Sequence, residues 1–431
     1  METVAYKCIN CVAPLQYNAA KQKFTCEFCR SDFTEAELRQ YWGELDEQLN
    51  NEAAPEPEQS SDPDDFNANA ALYLCQNCGA EIIAERTTTA ATFCVYCHSP
   101  VVISNRLAGQ YKPDMVIPFK ISEEEAKQRF YDFCGKKKFL PKDFISEAQL
   151  DMMKGVYYPY WMVDSLKDGT MNATAKKVRK WKQDDYEYTE TKTYKIRRAG
   201  KIDFKSYPCS AFRNEDKDAM KYVNPYDDKD FKQFSMAYLS GFLAEKRDTE
   251  RRDVQSQVDN ELQDYAKKIY GGTIDSSYDS VTVDNIHLNT LKESWKYAML
   301  PVWLMTFKYN VKDYLYAMNG QTGKNYGELP CSKGKLTAFG IVVFLLLSVI
   351  ILFGEYFLRD SELSTGKILR ALSISVLVSL FSVLLIYRSY KFNGKTEPYP
   401  YNNKAPLDLK VSEDVLVDTD VRRRKIEKDN R

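Results

Sequence analysis

Eight of the eleven cysteines lie in two blocks near the N-terminus, and their spacing restricts this part of the chain to a small class of folds. Each block contains two Cys-x-x-Cys motifs, separated by fourteen residues in the first block and by fifteen in the second. One such motif supplies two thiolates from a tight turn, and a spacer of this length can fold back as a hairpin to bring the motifs together. The spacing therefore predicts two zinc ribbons, each holding one structural zinc ion, with ligands Cys8, Cys11, Cys26 and Cys29 in the first and Cys75, Cys78, Cys94 and Cys97 in the second.

Two alternatives compete for the second block. Cys94, Cys97 and His98 match the pattern for covalent haem attachment, but the partner motif at Cys75 and Cys78 already accounts for the pair. Redox-active dithiols are a further alternative, but two metal sites explain the two matched pairs of motifs more simply. On the zinc interpretation, His98 is a bystander or a hydrogen-bonding neighbour of the sulfurs.

The residue that follows each motif bears on the turn. Gly79 comes directly after Cys78 and allows the left-handed backbone that such a turn often needs. Val12 occupies the same place in the first block, which weakens the pattern there.

Cysteine usage also indicates a compartment. Residues 1–7 contain no apolar core of a secretory signal, so the paired motifs are expected to stay reduced in a cytoplasm. The remaining cysteines, Cys134, Cys209 and Cys331, are scattered and are expected to be ordinary core or surface residues.

The chain is too long for one ordinary domain, and its composition changes sharply along its length. The expected fold class is multi-domain: two small β zinc ribbons, an α+β domain with an internal duplication suggested by its motifs, and a C-terminal transmembrane helical hairpin. The predicted segments are residues 1–33 (first ribbon), 34–49 (a helix), 50–70 (an acidic flexible linker), 71–104 (second ribbon), 110–332 (α+β domain), 336–358 and 368–390 (transmembrane helices) and 393–431 (a polar, largely disordered cytoplasmic tail).

Helix signals place several of these elements. Thr34 and Glu37 form a capping box, and Ser122 and Glu125 form a second one. The acidic, proline-containing stretch of residues 50–70 cannot bury enough apolar surface to order itself. The ribbons are therefore expected to be tethered, with no rigid stacking between them.

A repeated motif in the α+β domain suggests the duplication. Pro159-x-Trp161 and Pro301-x-Trp303 each lie in an apolar, strand-like run, and each is followed by a turn signal, Asp168-Gly169 and Asn319-Gly320. Two strand-rich halves are expected to close one core. Residues 253–270 are predicted to form an amphipathic helix.

Two apolar runs predict the membrane hairpin. Residues 336–353 and 371–387 contain no charged side chain, and each approaches the length of about 20 residues that spans a bilayer. Lys and Arg are slightly more frequent outside the hairpin than in its loop, which places both termini in the cytoplasm.

Interleaved basic and aromatic residues suggest a surface that binds nucleic acid, as one of two alternatives. Tyrosines in the α+β domain interleave with lysines and arginines such as Lys176, Arg179 and Lys182, as in a stacking surface for single strands. A tyrosine-rich β core with solvated lysines is the favoured alternative. The basic run at residues 422–425 could contact anionic lipid or be solvated.

The sequence shows no recognisable catalytic motif. With only His98 and His287, no Ser/His/Asp or Cys/His set is visible, and no catalytic residue is assigned. Gly320–Lys324 resembles a phosphate-binding loop, but Met318 stands where the first glycine is needed.

The chain resembles bacterial membrane proteins described as containing a TFIIB-type zinc ribbon. The resemblance is carried by the twin cysteine motifs and by residues 91–98, 116–119, 138–142, 155–161, 238–242 and 319–324. It implies a membrane-anchored adaptor that binds phage-shock-protein-A-like or SPFH-domain partners in an envelope-stress system. The expected function is thus a zinc-containing multi-pass cell-membrane adaptor, not an enzyme. The alternative is a membrane-tethered nucleic-acid-binding protein, and the sequence does not indicate an oligomeric state.

Overall fold

The computed structural model describes residues 6–41, 70–75, 77–85, 88–94, 97–103, 107, 109–141, 144, 153–213, 217–309, 312–358, 365–391 and 405–425. The strands are β1 (Leu15–Asn18), β2 (Lys23–Cys26), β3 (Asp32–Phe33), β4 (Ala70–Leu74), β5 (Glu81–Glu85), β6 (Thr89–Phe93), β7 (Pro100–Val102), β8 (Met115–Val116), β9 (Lys154–Gln183), β10 (Tyr186–Ser210), β11 (Lys232–Gln233), β12 (Leu243–Glu245), β13 (Ser280–Tyr309), β14 (Lys312–Asn319), β15 (Asn325–Gly327) and β16 (Leu407–Lys425). The α-helices are α1 (residues 35–41), α2 (Glu123–Gly135), α3 (Lys217–Val223), α4 (Arg251–Gly271), α5 (Lys333–Leu358) and α6 (Thr365–Lys391).

The expected multi-domain α+β organisation is confirmed: two groups of four cysteines precede a sheet-rich body, and two apolar helices follow it. The predicted linker lies almost entirely in residues 42–69, outside the described residues, as does the second half of the predicted helix 34–49.

Four very long antiparallel strands dominate the body, in the order β16, β10, β9, β13. Strand β9 pairs with β10 up to Gln183 and with β13 up to Lys176, so the distal part of this sheet projects as an arm. Helix α4 covers one face of the sheet before the arm, where Val258 and Leu262 are buried with Met171 of β9 and Ile202 of β10.

An internal two-fold repeat relates the two halves of the body. The first half is β8–α2–β9–β10 and the second is β12–α4–β13–β14. Each short strand pairs in parallel with the long strand of the other half, through Val116↔Met299 and Ala244↔Tyr157. The halves therefore exchange their first strands across the central β9–β13 pair. The duplication suggested by the Pro-x-Trp repeat corresponds to this arrangement.

One of the two turn signals in that repeat is wrong. Asn319-Gly320 does end β14, with β15 returning antiparallel to it. Asp168 and Gly169 instead lie inside β9, which continues to Gln183. Gly169 pairs with Gly200, and both carbonyls accept a hydrogen bond from the hydroxyl of Tyr270, at 3.1 and 2.8 Å. A Cβ at Gly169 would collide with Leu288 and the His287 carbonyl of β13 and would lie 3.2 Å from the Tyr270 hydroxyl, so this glycine serves close packing rather than a turn.

The predicted disordered tail needs correction. Residues 407–425 form β16, which pairs with β10 from Ile202↔Leu407 to Tyr186↔Lys425. The buried Arg198 guanidinium lies 2.6 Å from Asp414 and donates to the Glu413 carbonyl at 3.0 Å, which fixes the middle of the strand. Residues 393–404 and 426–431 of the predicted tail lie outside the described residues.

The first ribbon packs directly against the body, contrary to the expectation of a merely tethered module. The backbone N–H of Tyr17 donates to the Ser240 carbonyl at 3.0 Å, and Gln22 Nε2 donates to the Phe119 carbonyl at 2.7 Å. The rings of Tyr17 and Phe24 lie 5.2 and 5.5 Å from the ring of Tyr238. Because these aromatic side chains are buried, the ribbon and the body share one core.

The second ribbon joins the body through its sheet. Strand β6, which leads into the Cys94 motif, pairs antiparallel with β12 through Ala91↔Ala244, and β7 pairs with β6. The strands β4 and β5 form a separate two-stranded sheet. Half of this ribbon is therefore an extension of the central sheet.

Helices α5 and α6 are long and apolar enough to cross a membrane, with spans at residues 333–354 and 365–388 and mean hydropathies of 3.0 and 2.3. They contact each other closely where the Ser379 hydroxyl donates to the Gly340 carbonyl at 2.7 Å. Most other apolar side chains of the pair are exposed.

The segment at Phe139 and Leu140 holds the body against the base of the helix pair. The backbone N–H of Phe139 donates to the Tyr390 hydroxyl at 2.7 Å, and its ring lies 5.3 Å from that of Phe339. Lys335 Nζ donates to the Leu140 carbonyl at 2.7 Å. Lys335 at the start of α5 and Tyr390 at the end of α6 both contact residues 139–140, so the two flanks meet at the same end of the helix pair.

Candidate metal centres

The structure brings the eight predicted ligands together in two groups of four. In the first group the Sγ–Sγ distances are 3.5 Å for Cys8–Cys29 and 3.5 Å for Cys11–Cys26. In the second, the corresponding Cys75–Cys97 and Cys78–Cys94 distances are both 3.7 Å. All ligand atoms within each group lie within 4.8 Å of one another. Four thiolates at about 2.3 Å around a tetrahedral ion lie about 3.8 Å apart, so both groups fit such an ion.

Every Cys-x-x-Cys motif forms the same turn. The N–H of the first cysteine donates to the carbonyl five residues on, and its own carbonyl accepts from the N–H four residues on, as in Cys8 with Ala13 and Val12. The residue after the second cysteine has positive φ in all four turns: Val12, Arg30, Gly79 and His98. The left-handed backbone expected at Gly79 therefore occurs at the same place in all four Cys-x-x-Cys turns. Val12 adopts it at φ 64° although a β-branched side chain disfavours that region.

A polar pair beside each group was missed from the sequence. Asn10 Nδ2 donates to the Ser31 hydroxyl at 2.9 Å, and Asn77 Nδ2 donates to the Ser99 hydroxyl at 2.8 Å. The serine oxygens lie 3.2 Å from Cys29 Sγ and 3.4 Å from Cys97 Sγ. The signal was present, because both blocks read Cys-x-Asn-Cys in their first motif and follow their last cysteine with x-Ser.

These serines favour the thiolate form of the last cysteine. Hydrogen bonding from the Ser31 side chain lowers the pKa of Cys29 to about 6, and that from Ser99 lowers the pKa of Cys97 to about 5. The pKa of Cys78 is raised to about 12: the Ala80 N–H favours its thiolate, but the crowded neighbouring thiols and burial outweigh it. A divalent cation is the partner that lets four crowded thiolates ionise together.

The chemistry open to these sites is structural. Four protein thiolates leave no coordination position for water or substrate. An all-sulfur tetrahedral set suits a soft ion such as zinc or iron. His98 occupies the left-handed turn position, and His287 lies in β13 opposite Thr170 of β9, so the structure does not bring the two histidines into the metal groups.

The remaining cysteines behave as predicted for isolated residues. Cys134 and Cys209 are buried in the cores of the body, and Cys331 is half-buried beside the base of the helix pair. Burial raises the pKa of Cys134 to about 12, which keeps its thiol protonated.

Comparison with known proteins places the chain beside an uncharacterized bacterial relative. No family model matches the chain, and no solved structure matches it. The uncharacterized protein YdjG of Bacillus subtilis (strain 168) is 32% identical over 238 residues, which cover 55% of this chain and 70% of that protein. Identity at this level over most of the relative shows common descent, and the chain therefore belongs to the same family as Bacillus subtilis YdjG.

Proposed function

We propose that this protein is a zinc-containing, membrane-anchored cytoplasmic adaptor that recruits protein partners to the membrane. The observation that carries the proposal is the attachment of the body, on which both ribbons pack, to the base of the helix pair. Phe139, Leu140 and Tyr390 connect the body to both helices, and Tyr17 connects the first ribbon to the body. An anchor coupled in this way holds a large folded surface at a fixed place beside the bilayer.

Membrane insertion and orientation are parts of this proposal. The exposed apolar side chains of α5 and α6 would contact lipid, since water would not stabilise so large an apolar surface. The start of α5 and the end of α6 both contact residues 139–140, which supports a two-span hairpin with both flanks at one end. The excess of Lys and Arg in these flanks and the reduced thiols support a cytoplasmic side.

The identity of the metal and the partners completes the proposal. Zinc is the ion that best combines four thiolates, tetrahedral geometry and no redox role. The resemblance to TFIIB-type zinc-ribbon membrane proteins supports partners of the phage-shock-protein-A-like or SPFH type, within an envelope-stress system. The closed thiolate sites would then serve folding and docking.

Two experiments test the proposal. Deletion of residues 336–387 should move the protein from the membrane fraction to the soluble fraction, and an unchanged membrane fraction would refute the anchor. Crosslinking in native membranes should capture proteins of the membrane-stress type. Capture of replication factors in their place would favour the nucleic-acid alternative over the adaptor.

A further inference from the structure

The outer end of the β arm carries a cluster of aromatic and basic side chains from two distant parts of the chain. The register places Trp181, Tyr188 and Arg423 in one row across β9, β10 and β16, and Gln183, Tyr186 and Lys425 in the next. Residues paired across antiparallel strands share a face, as does Arg179, two positions before Trp181. We call the set Arg179, Trp181, Tyr186, Tyr188, Arg423 and Lys425 the distal face.

The rings of the distal face are arranged as a platform. Trp181 and Tyr188 stack with centroids 5.4 Å apart and an interplanar angle of 7°. The Arg179 guanidinium lies 5.8 Å from the Trp181 ring, and that of Arg423 lies 5.2 Å from the Tyr186 ring. These tyrosines differ from Tyr157 and Tyr238, which are buried in the core of the body. The rings of the distal face remain partly accessible to solvent.

The distal face carries a net positive charge, although the register places one carboxylate, that of Glu190, opposite Arg179 on the same face. The ion pairs near this end join Lys192 to Glu190 and Arg422 to Asp420. Within the described part of the chain, Arg179, Arg423 and Lys425 have no carboxylate within ion-pair distance and are exposed. A flexible anion with planar groups would complement both the cations and the rings.

The position of the distal face argues against the protein's own bilayer as that anion. The start of β14 lies near the helix pair, since Lys312 interacts electrostatically with Tyr387. Strand β9 begins at this end, with Lys154 opposite Leu304, and runs 30 residues away from it. At about 3.3 Å per residue, its other end lies up to roughly 95 Å from the end near the helices.

We propose that the distal face binds single-stranded nucleic acid. Arg423, Lys425 and Arg179 would neutralise phosphates, while bases stack against the Trp181 and Tyr188 rings, a contact that duplex DNA or an acidic peptide cannot make in the same way. This site is independent of the proposed recruitment of protein partners. It also joins two sequence features that lie far apart along the chain, the basic–aromatic run of residues 176–194 and the C-terminal basic run.

The test uses the full-length protein in detergent micelles and fluorescein-labelled oligothymidylate and oligouridylate of about 16 nucleotides. Anisotropy should report binding at low salt that weakens as salt rises. Trp181→Ala/Tyr188→Ala should weaken binding about tenfold. Arg423→Glu/Lys425→Glu should weaken it and reduce the slope of log affinity against log salt by about 1.4. The control Lys201→Glu/Lys410→Glu alters exposed cations at the other end of β10 and β16 and should bind as the wild type does.

Several results would overturn the proposal. These are no binding at low salt, undiminished binding by the Trp181→Ala/Tyr188→Ala variant, and an equal loss in the Lys201→Glu/Lys410→Glu control. Equal competition by poly-L-glutamate would assign the site to acidic polypeptide, and competition only by anionic vesicles would assign it to lipid. Hydrogen exchange of residues 407–425 establishes that β16 remains paired in each variant, so that loss of binding is not loss of the strand.

Discussion

Trp161 and Trp303 make the same hydrogen bond in the two halves of the body. The indole N–H of Trp161 donates to the Thr249 carbonyl at 3.1 Å, and that of Trp303 donates to the Ile121 carbonyl at 3.0 Å. Each acceptor lies one residue before the N-cap of the helix in the opposite half, Glu250 or Ser122.

The backbone around these tryptophans repeats as well. The Gly320 carbonyl accepts from the N–H groups of residues 120 and 121, and the Ala211 carbonyl accepts from those of residues 248 and 249. Gly320 and Ala211 in turn donate to the carbonyls of Pro301 and Pro159. The proline of each Pro-x-Trp motif has no N–H, but its carbonyl holds Gly320 or Ala211 in place. These two residues in turn bind the segment that leads into the helix of the opposite half.

We predict that Trp303→Phe destabilises the protein more than Trp161→Phe. Trp303 is buried, so its loss leaves the Ile121 carbonyl without a partner in a dry environment, at a cost of about 1–3 kcal/mol. Trp161 is only half-buried, and water can replace its N–H. Urea unfolding followed by circular dichroism measures the difference, and equal losses in the two variants would contradict it.

The sequence predicted the elements whose signals are local. The cysteine spacing alone grouped the eight thiols, and the capping box at Ser122 with apolar spacing at Ala126, Phe130 and Cys134 located α2. The Pro-x-Trp repeat located the two halves. In each case, the residues that determine the structure lie within about one element of each other.

Elements determined by distant partners escaped prediction. Gly169 looked like a turn because the groups that leave no room for a Cβ there, Leu288 and the His287 carbonyl, are supplied by β13 more than 100 residues later. Strand β16 looked disordered because its charged sequence buries little by itself, and its stabilising partner Arg198 lies more than 200 residues upstream. The first ribbon looked tethered because its contact with Tyr238 is not visible in either segment alone.

A second prediction concerns the close approach of β16 to β10. A Cβ at Gly200 would lie 2.3 Å from the Asp408 carbonyl oxygen and 2.9 Å from the Leu409 Cα. Because both are backbone atoms, Gly200→Ala should displace the start of β16 and speed hydrogen exchange of residues 407–411. The matched control is Gly271→Ala at the end of α4, where a Cβ meets nothing within 4 Å. That substitution should be neutral or stabilising by up to about 1 kcal/mol. Equal exchange in the two variants would show that β16 does not pack as closely as described.

A third prediction concerns pH and the hold of Arg198 on β16. Hydrogen bonding from the Arg198 side chain, with a further bond from the Tyr278 hydroxyl, holds the pKa of Asp414 below its ordinary value of 3.8. The folded state thus favours the carboxylate, so this stabilisation is fully present above 3.8 and is lost as the pH falls through the lowered value.

Hydrogen exchange of residues 407–425, corrected for the intrinsic pH dependence of amide exchange, should therefore rise on acidification below 3.8 in the wild type. Asp414→Asn should exchange faster already at neutral pH and should lose that acid-dependent step. Asp418→Asn, on the same strand, should keep it. An acid step that persists in Asp414→Asn would assign the effect to another group.

A fourth prediction tests the contact within the helix pair. A Cβ at Gly340 would lie 2.9 Å from Val383 Cγ2, whereas one at Gly354 meets nothing within 4 Å. Small residues allow apolar helices to approach closely, so Gly340→Leu should separate α5 from α6 and Gly354→Leu should not. Chemical crosslinking between cysteines introduced in α5 and α6 next to the Gly340–Ser379 contact should fall in the first variant only. If both variants crosslink like the parent, the close contact at Gly340 does not hold the pair together.

The last prediction concerns the zinc content of the two groups of four cysteines and the effect of losing each zinc ion. Elemental analysis should find about two zinc ions per chain, one for each group of four thiols. Cys26→Ser and Cys94→Ser should each remove one, and Cys331→Ser, outside both groups, should remove none. The binding free energy of a structural zinc, on the order of 10–16 kcal/mol in small zinc peptides, is also folding free energy.

The consequences for the body should differ between the two ribbons. Cys26 belongs to the ribbon whose Tyr17 and Phe24 pack on Tyr238, so its loss should expose this shared core to protease. Cys94 directly follows β6, whose pairing with β12 extends the central sheet, so its loss should raise hydrogen exchange of residues 243–245. If Cys26→Ser loses its zinc and the protease sensitivity around Tyr238 does not change, the aromatic core shared by the ribbon and the body does not depend on the zinc.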